Sequence, residues 1–114
     1  MPLCDWKEVE AIAEAIMDVS VEPFDVETIA NARDLLTICR GCCPVPVDVA
    51  KGYWSTLCLV WDKFELEVFG DRVEVCHLEQ PQLQVWYEQH IPGQDFSLRF
   101  FAELPKVSGG TGIA

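Results

Sequence analysis

The sequence predicts an α+β domain in which two N-terminal helices pack on one face of a roughly five-stranded antiparallel meander sheet. Three observations support this fold class. Apolar residues in the first third recur with a helical period, those after residue 55 alternate with a period of two, and short turns separate the alternating segments. A chain of 114 residues, 50% of them hydrophobic, is long enough for one core. We therefore expect a single domain over residues 1–106 and a flexible tail at 107–114.

The first helix is marked by its N-terminal cap. Asp5 and Glu8 have the spacing of a capping box, and Cys4 and Val9 occupy the positions of a hydrophobic staple. The helix is predicted to run to about residue 17 or 19. Its apolar residues recur along one helical face and comprise Val9, Ile12, Ala13 and Ile16.

The second helix is predicted to begin at Asp25 and to end in the sequence CRGCCP at residues 39–44. We interpret this cysteine-rich segment as a helix stop, with Gly41 as the left-handed residue after the last turn and Pro44 preventing continuation. A C-x-x-C pair at its start has the spacing of a zinc knuckle, but no second pair of ligands follows it. The sequence therefore predicts no metal or other cofactor, and zinc stabilisation through Cys39 and Cys42 is kept only as a third hypothesis.

Residues 42–54 contain two prolines and are predicted to be a stiff connector. Two-residue turns at Asp62-Lys63 and Gly70-Asp71 then separate strand-like segments. Links of this length join antiparallel neighbours, which favours a meander. The five predicted strands are 55–61, 64–69, 72–78, 83–88 and 96–104.

The turn at Gly70-Asp71 sets the register of one hairpin and places Glu67 opposite Glu74, a like-charge pair. The face expected to take the helices is apolar and comprises Leu57, Leu59, Trp61, Phe64, Leu66, Val68, Val73, Val75, Leu83, Val85, Tyr87, Phe96, Leu98 and Phe100. The opposite face is mixed and comprises Cys58, Val60, Glu65, Glu67, Glu74, Cys76, Trp86, Glu88, Arg99 and Phe101. Arg99 offsets the repulsion between the two glutamates if the strand order brings it close.

We expect this mixed face to be a contact surface, because exposed aromatic rings beside charged groups are typical of interfaces. The predicted interaction residues are Glu65, Glu67, Glu74, Trp86, Glu88, Arg99 and Phe101. The net charge of -11 argues against binding nucleic acid through its phosphates. The first hypothesis is a non-enzymatic interaction protein that binds a basic protein partner or forms a homodimer. An antitoxin, an immunity protein or an inhibitor would fit that class.

A second hypothesis is a small-molecule binder or minor enzyme with an aromatic pocket between the helices and the sheet. His77 is predicted on the helix-facing side, and His90 lies in a loop near Glu88, where histidines are usually solvated. No nucleophile, base and orienting group converge by spacing, so no catalytic residue is predicted. The ligand-binding residues of this hypothesis are Tyr53, Trp54, Trp61, His77, Tyr87 and His90.

Charge and hydropathy also indicate a location. The first residues carry acids where a signal peptide needs positive charge, and no stretch approaches the 18 apolar residues of a membrane span. Six cysteines without a secretory signal are expected to be reduced thiols. The sequence therefore predicts a cytoplasmic protein that does not enter a membrane.

Overall fold

The computed structural model describes residues 3–18, 23–78 and 83–106, and it confirms the predicted fold class. The five strands form one antiparallel sheet in chain order, and the two N-terminal helices pack against it. The predicted tail at 107–114 lies outside the described residues. The elements are α1 (Trp6–Asp18), α2 (Val26–Cys42), β1 (Asp48–Lys51), β2 (Leu57–Trp61), β3 (Phe64–Val68), β4 (Arg72–His77), β5 (Gln84–Gln89) and α3 (Leu98–Glu103).

The N-terminal cap of α1 is the one predicted. The Asp5 carboxylate accepts a hydrogen bond from the Glu8 N–H at 2.9 Å, which satisfies a backbone donor that has no partner within the helix. The Glu8 carboxylate in turn accepts from the N–H of Cys4 at 2.8 Å, one residue before the Asp5 N–H that a capping box uses. The helix then buries Val9, Ala13 and Met17 against the core.

The predicted end of α2 is wrong by two residues. Gly41 has no left-handed conformation and lies inside the helix, which continues to Cys42. Cys43 is the capping residue, with an extended backbone at φ -116° and ψ 154°. The physical stop is Pro44, because a proline disfavours the helical conformation of the residue before it. The helix therefore ends because of Pro44, and Gly41 does not end it.

Two segments were also predicted as the wrong kind of structure, one strand as a connector and one helix as a strand, so the two errors cancel in the strand count. The connector at 42–54 contains β1, which pairs with β2 so that Val49 faces Leu59. The segment 96–104 contains the helix α3 instead of a strand. Ser97 caps this helix by accepting a hydrogen bond from the Phe100 N–H at 3.1 Å. The apolar pattern of this segment fits either a strand or a helix, and the cap at Ser97 favours the helix.

The core lies between the helices and one face of the sheet. Its largest buried side chains come from α1, α2 and the inner positions of β2, β3 and β4, with Phe100 added from α3. A buried amide joins α2 to the residues that follow β3 and β5, because Asn31 donates to the carbonyl oxygens of Phe69 at 3.0 Å and His90 at 2.9 Å. Within the described ranges, none of the helices is long and apolar enough to cross a membrane.

Candidate functional site: the open face of the sheet

One face of the sheet carries the helices, and the other carries none of the described elements. Strand pairing sorts the residues of this second face into two rows that cross all five strands. We call the ten residues the open face, and the helix-bearing side the covered face. The first row is Ala50, Cys58, Glu67, Glu74 and Tyr87, and the second is Asp48, Val60, Glu65, Cys76 and Val85.

The open face is strongly acidic. Glu67 lies directly opposite Glu74, which confirms the predicted like-charge pair. Each of the two carboxylates has a local partner: the Thr56 hydroxyl donates to Glu67, and the Arg72 guanidinium donates to Glu74 at 3.2 Å. Arg72 also pairs with Asp71 at 2.8 Å, so its single positive charge is shared. The face therefore keeps a net negative charge.

The pKa shifts of two thiols on the open face, Cys58 and Cys76, reflect its negative electrostatic potential. The pKa of Cys58 is raised to about 12, mainly by burial and in the same direction by the charges of Glu67 and Glu65. Burial also raises the pKa of Cys76, again with a contribution from the charges of the neighbouring glutamates. Both thiols are neutral at pH 7. The same field that disfavours a thiolate favours a cation placed on the open face.

The predicted orientation of the strand at 83–88, which is β5 in the structure, is wrong. In β5, Tyr87 pairs with Glu74 and Val85 pairs with Cys76, so these two side chains lie on the open face. Trp86 lies on the covered face, where its indole N–H donates to Glu103 at 2.8 Å. A shift of one residue reverses every side chain of a strand, so this single error exchanges the predicted aromatic residues of the two faces.

The remaining predicted interaction residues also belong to the covered side. Glu88 of β5 accepts hydrogen bonds from the amide and hydroxyl of Ser97 at 2.6 and 2.8 Å. Arg99 lies 3.7 Å above the ring of Trp86 and pairs with Glu103, so it does not offset the repulsion between Glu67 and Glu74. Phe101 lies on α3. Only Glu65, Glu67 and Glu74 of the predicted set lie on the open face.

His77 lies on the covered side, as predicted, and forms part of a polar cluster around Glu103. Its Nε2 lies 2.7 Å from the Glu103 carboxylate, which also accepts from Trp86 and Arg99. Burial raises the pKa of Glu103, but the hydrogen bonds from His77, Trp86 and Arg99 outweigh it and lower the pKa to about 2. The cluster joins α3 to β4 and β5, so its evident role is structural.

His90 is fully buried, which differs from the solvated loop histidine that the sequence suggests. Its Nε2 lies 3.2 Å from Asp34 of α2, and its ring stacks on Phe96 with the centroids 4.0 Å apart. The N–H of Gly93 donates to the same Asp34 oxygen at 2.9 Å. Nothing in the local sequence pairs Asp34 with a histidine 56 residues away, so this contact was not predictable.

The aromatic residues of the second hypothesis do not share a pocket. Tyr53 and Trp54 are exposed and pack edge to face with their ring centroids 4.6 Å apart. Trp61 is buried and donates to the carbonyl oxygen of Pro44 at 2.8 Å. Tyr87 lies on the open face, on the other side of the sheet from the histidines. The predicted pocket between helices and sheet, formed by these residues, is therefore wrong.

The cysteine-rich end of α2 forms a small thiol cluster. The sulfur atoms of Cys42 and Cys43 are 3.7 Å apart. A hydrogen bond from Cys39 lowers the pKa of Cys43, while the pKa of Cys39 itself is raised by the same contact and by burial. Across the described part of the chain, no group of three or more His, Cys, Asp or Glu side chains is arranged to hold a metal ion.

Comparison with known proteins adds no functional information. No family model matches the sequence, and neither the curated proteins nor the solved structures gave a match. The function is therefore argued from the chemistry of the open face.

Proposed function

We propose that this chain is a non-enzymatic binding protein whose open face captures a basic segment of a protein partner. The observation that carries the proposal is the composition of this face. It holds four carboxylates, those of Asp48, Glu65, Glu67 and Glu74, on a surface that also exposes Tyr87 and Val85. A surface that combines charge with apolar area suits a partner carrying lysine or arginine beside apolar residues.

The opposed glutamates support a cationic partner. Two like charges directly across a strand pair cost a few tenths of a kcal/mol to about 1 kcal/mol. The internal partners of Glu67 and Glu74, Thr56 and Arg72, supply one hydroxyl and one shared guanidinium. A lysine or arginine of the partner placed between the glutamates removes this repulsion on binding, and the net charge of -11 attracts such a partner at long range.

The same charges make this face a poor surface for a homodimer. Two copies meeting through their open faces would bring the carboxylates of one copy against those of the other, and like-charge contacts at an interface disfavour association. We therefore favour the basic protein partner over self-association. A role as an antitoxin, an immunity protein or an inhibitor remains the class of function that this interaction fits.

We also propose that the protein works in the cytoplasm. All six cysteines are free thiols, and Cys42 and Cys43 lie side by side without a disulfide. Free thiols in this number suit a reducing compartment.

The experiment is a binding titration with a basic peptide, followed by fluorescence anisotropy, on the unsubstituted protein and a double charge reversal, Glu67→Lys with Glu74→Lys. We expect the reversal to weaken binding by about tenfold or more, because it converts the site from anionic to cationic. The matched control is Asp18→Lys with Asp62→Lys, which changes the net charge equally at exposed positions on α1 and in the turn between β2 and β3. Equal affinities for the two double variants would contradict the proposal.

A second candidate function concerns small molecules and is supported by one cavity. A space of about 410 Å³ lies between α2 and the segment leading into α3, lined by the rings of Phe96 and Phe101 and the carboxylates of Asp34 and Asp95. This volume is within the usual range of ligand pockets. Aromatic faces beside carboxylates favour an aromatic amine, through cation–π and ionic contacts. We therefore offer an amine-bearing ligand as the alternative to a protein partner.

Benzylamine and benzyl alcohol provide a matched pair of probes for this cavity. Binding of the amine alone, with saturable NMR shifts at Phe96 and Phe101, would support the alternative. The variant Asp95→Asn should weaken that binding, and Asp95 is exposed enough for the substitution to leave the fold intact. Equal shifts from the amine and the alcohol would exclude a site for cations.

A further inference from the structure

The sheet ends in two edge strands, and one of them is protected. The edge strand β1 has four residues and packs against α1, with Val49 buried. The N–H of Val49 donates to the Asp48 side chain at 2.8 Å. Short length, a covering helix and an internally satisfied donor are devices that prevent an edge from pairing with another chain.

In the other edge strand, β5, the backbone N–H and C=O groups of three residues point away from the sheet. The N–H of His90 donates to the carbonyl oxygen of Asp71 at 2.9 Å, in the register of the β4–β5 pair. Hydrogen-bonded and non-bonded pairs alternate along an antiparallel ladder. The residues bonded to β4 are therefore Gln84, Trp86 and Glu88. The N–H and C=O groups of Val85, Tyr87 and Gln89 point away from the sheet.

The neighbouring strand pair confirms this alternation. The N–H of Phe69 donates to the carbonyl of Arg72, and the N–H of Leu78 donates to that of Lys63. Even-numbered residues of β4 therefore bond to β3, which leaves its odd-numbered residues for β5. Among the described residues, no hydrogen bond reaches the outward groups of Val85, Tyr87 or Gln89.

Apolar side chains are concentrated along the same edge. Tyr87 is 60% exposed and Val85 is 54% exposed, on a strand that contains no Lys, Arg or Pro. Further exposed apolar residues lie at the ends of the strand and at the end of β4, namely Leu78, Leu83 and Ile91. Unlike β1, β5 has six residues and, among the described residues, no internal acceptor for its outward N–H groups, so it is a template for an added strand.

Charge decides which kind of strand fits. Tyr87 lies directly beside Glu74 across the pair with β4, so an arginine or lysine next to Tyr87 can extend over its ring toward that carboxylate. A second copy of this chain would instead bring another net charge of -11 to the edge. The complementary occupant is a basic strand and not an identical one.

We infer that β5 receives the basic segment of the partner as a sixth strand of the sheet. Main-chain hydrogen bonds form at Val85, Tyr87 and Gln89, and basic side chains alternate along the added strand so that they lie on the open face. This inference rests on the proposed function, since it states how the same partner binds. It also specifies the partner: an extended segment in which lysine or arginine alternates with β-branched residues.

The probe is a nine-residue peptide with blocked ends in which arginine alternates with valine or threonine, compared with an isomer of the same composition whose arginines are contiguous. The test variant is Val85→Pro, which removes an outward N–H and leaves the bonds to β4, a position where an edge strand tolerates proline. Val85→Thr is the matched control because it keeps the N–H. We expect Val85→Pro to weaken binding of the alternating peptide by about tenfold and Val85→Thr by less than about twofold.

A second measurement needs no substitution and stands even if Val85→Pro folds poorly. Amide hydrogen exchange of the unsubstituted protein should slow at Val85, Tyr87 and Gln89 when the alternating peptide is added, and should change little at Trp86, whose N–H already faces β4. Unchanged exchange at all three outward amides in the bound state would overturn the inference.

Separate outcomes distinguish this inference from the proposed function. Loss of binding on charge reversal at Glu67 and Glu74, with equal binding by Val85→Pro and Val85→Thr, would retain capture by the open face and overturn strand addition. Insensitivity to the charge reversal would overturn the proposed function itself. A dimer in the absence of peptide that Val85→Pro dissociates would also overturn the inference, by making a second copy the occupant.

Discussion

The two faces of the sheet are built from alternate residues of the same strands, but they differ in chemistry. Leu66 and Glu67 are neighbours in β3, yet Leu66 is fully buried under the helices while Glu67 faces another glutamate on the open side. On the covered face, Glu103 is satisfied by three donors. On the open face, carboxylates outnumber their cationic partners. The comparison indicates that one face supplies the buried core and the other keeps an excess of negative charge, which is the basis of the proposed binding to a partner.

The largest expected effect is on the covered face. Leu66→Ala should lower the free energy of unfolding by about 3 kcal/mol, because it leaves a cavity at a fully buried position. Chemical denaturation measures the loss. Val60→Ala is the matched control on the open face, since Val60 is only half-buried there. If both substitutions cost the same, the two faces are equally packed and the contrast between them fails.

Gly52, directly after β1, is a tightly packed position beside the open face. A β-carbon at Gly52 would clash with the Thr56 hydroxyl and the Glu67 carboxylate. Gly52→Ala should therefore disrupt the hydrogen bond between these two side chains and lower the free energy of unfolding by about 2 kcal/mol. Thermal denaturation monitored by circular dichroism measures it.

Gly41 provides the control for Gly52, because nothing lies within 4 Å of its β-carbon position and its backbone is helical. Gly41→Ala should raise the free energy of unfolding by about 0.5–1 kcal/mol, the gain in helix propensity. A loss of stability instead would mean that Gly41 is a left-handed helix stop after all, since alanine is strained in that conformation.

The polar cluster on the covered face should make the free energy of unfolding depend on pH in the acidic range. The pKa of Glu103 is about 2 in the folded protein against 4.5 ordinarily. Because the pKa is lower in the folded state, the ionised carboxylate stabilises the fold at pH values above the unfolded pKa. This stabilisation is lost as the pH falls from about 4.5 toward 2. Glu103→Gln should remove about 1 kcal/mol of this pH dependence, a figure reduced for solvent screening of a partly exposed carboxylate.

Parallel denaturation curves of the unsubstituted protein and Glu103→Gln, from pH 7 to 2, measure the effect. Their difference should shrink as Glu103 is protonated. A difference that stays constant over the whole range would show that the carboxylate contributes no pH-dependent stability. Glu8→Gln is a useful control because that carboxylate is exposed and caps α1 away from the cluster.

The smallest expected effect is on the opposed glutamates. Glu67→Gln removes one charge of the like-charge pair, and the new amide oxygen can still accept from the Thr56 hydroxyl. The free energy of unfolding should rise by a few tenths of a kcal/mol, roughly the cost of such a pair. Glu67→Gln should therefore raise the stability of the protein and lower its affinity for a basic peptide. A gain in both would contradict the assignment of this face to binding.

Local signals predicted much of the fold and part of the site. The cap at Asp5 and the two-residue turns were readable because each acts over a few residues, and the turn at Gly70-Asp71 correctly opposed Glu67 and Glu74. The faces of β5 were not readable, because the sequence has no two-residue turn signal before residue 83 and the alternation of Val85, Trp86 and Tyr87 fits either orientation.

The sequence by itself determined the α+β class, the start of both N-terminal helices and the acidic centre of the open face, since capping, alternation and tight turns are local properties. Only the tertiary structure decided that Trp86 faces the helices and that His90 is buried against Asp34. These outcomes depend on contacts between residues far apart in the chain. Their free energy exists only when the core is assembled, so no short stretch of sequence contains it.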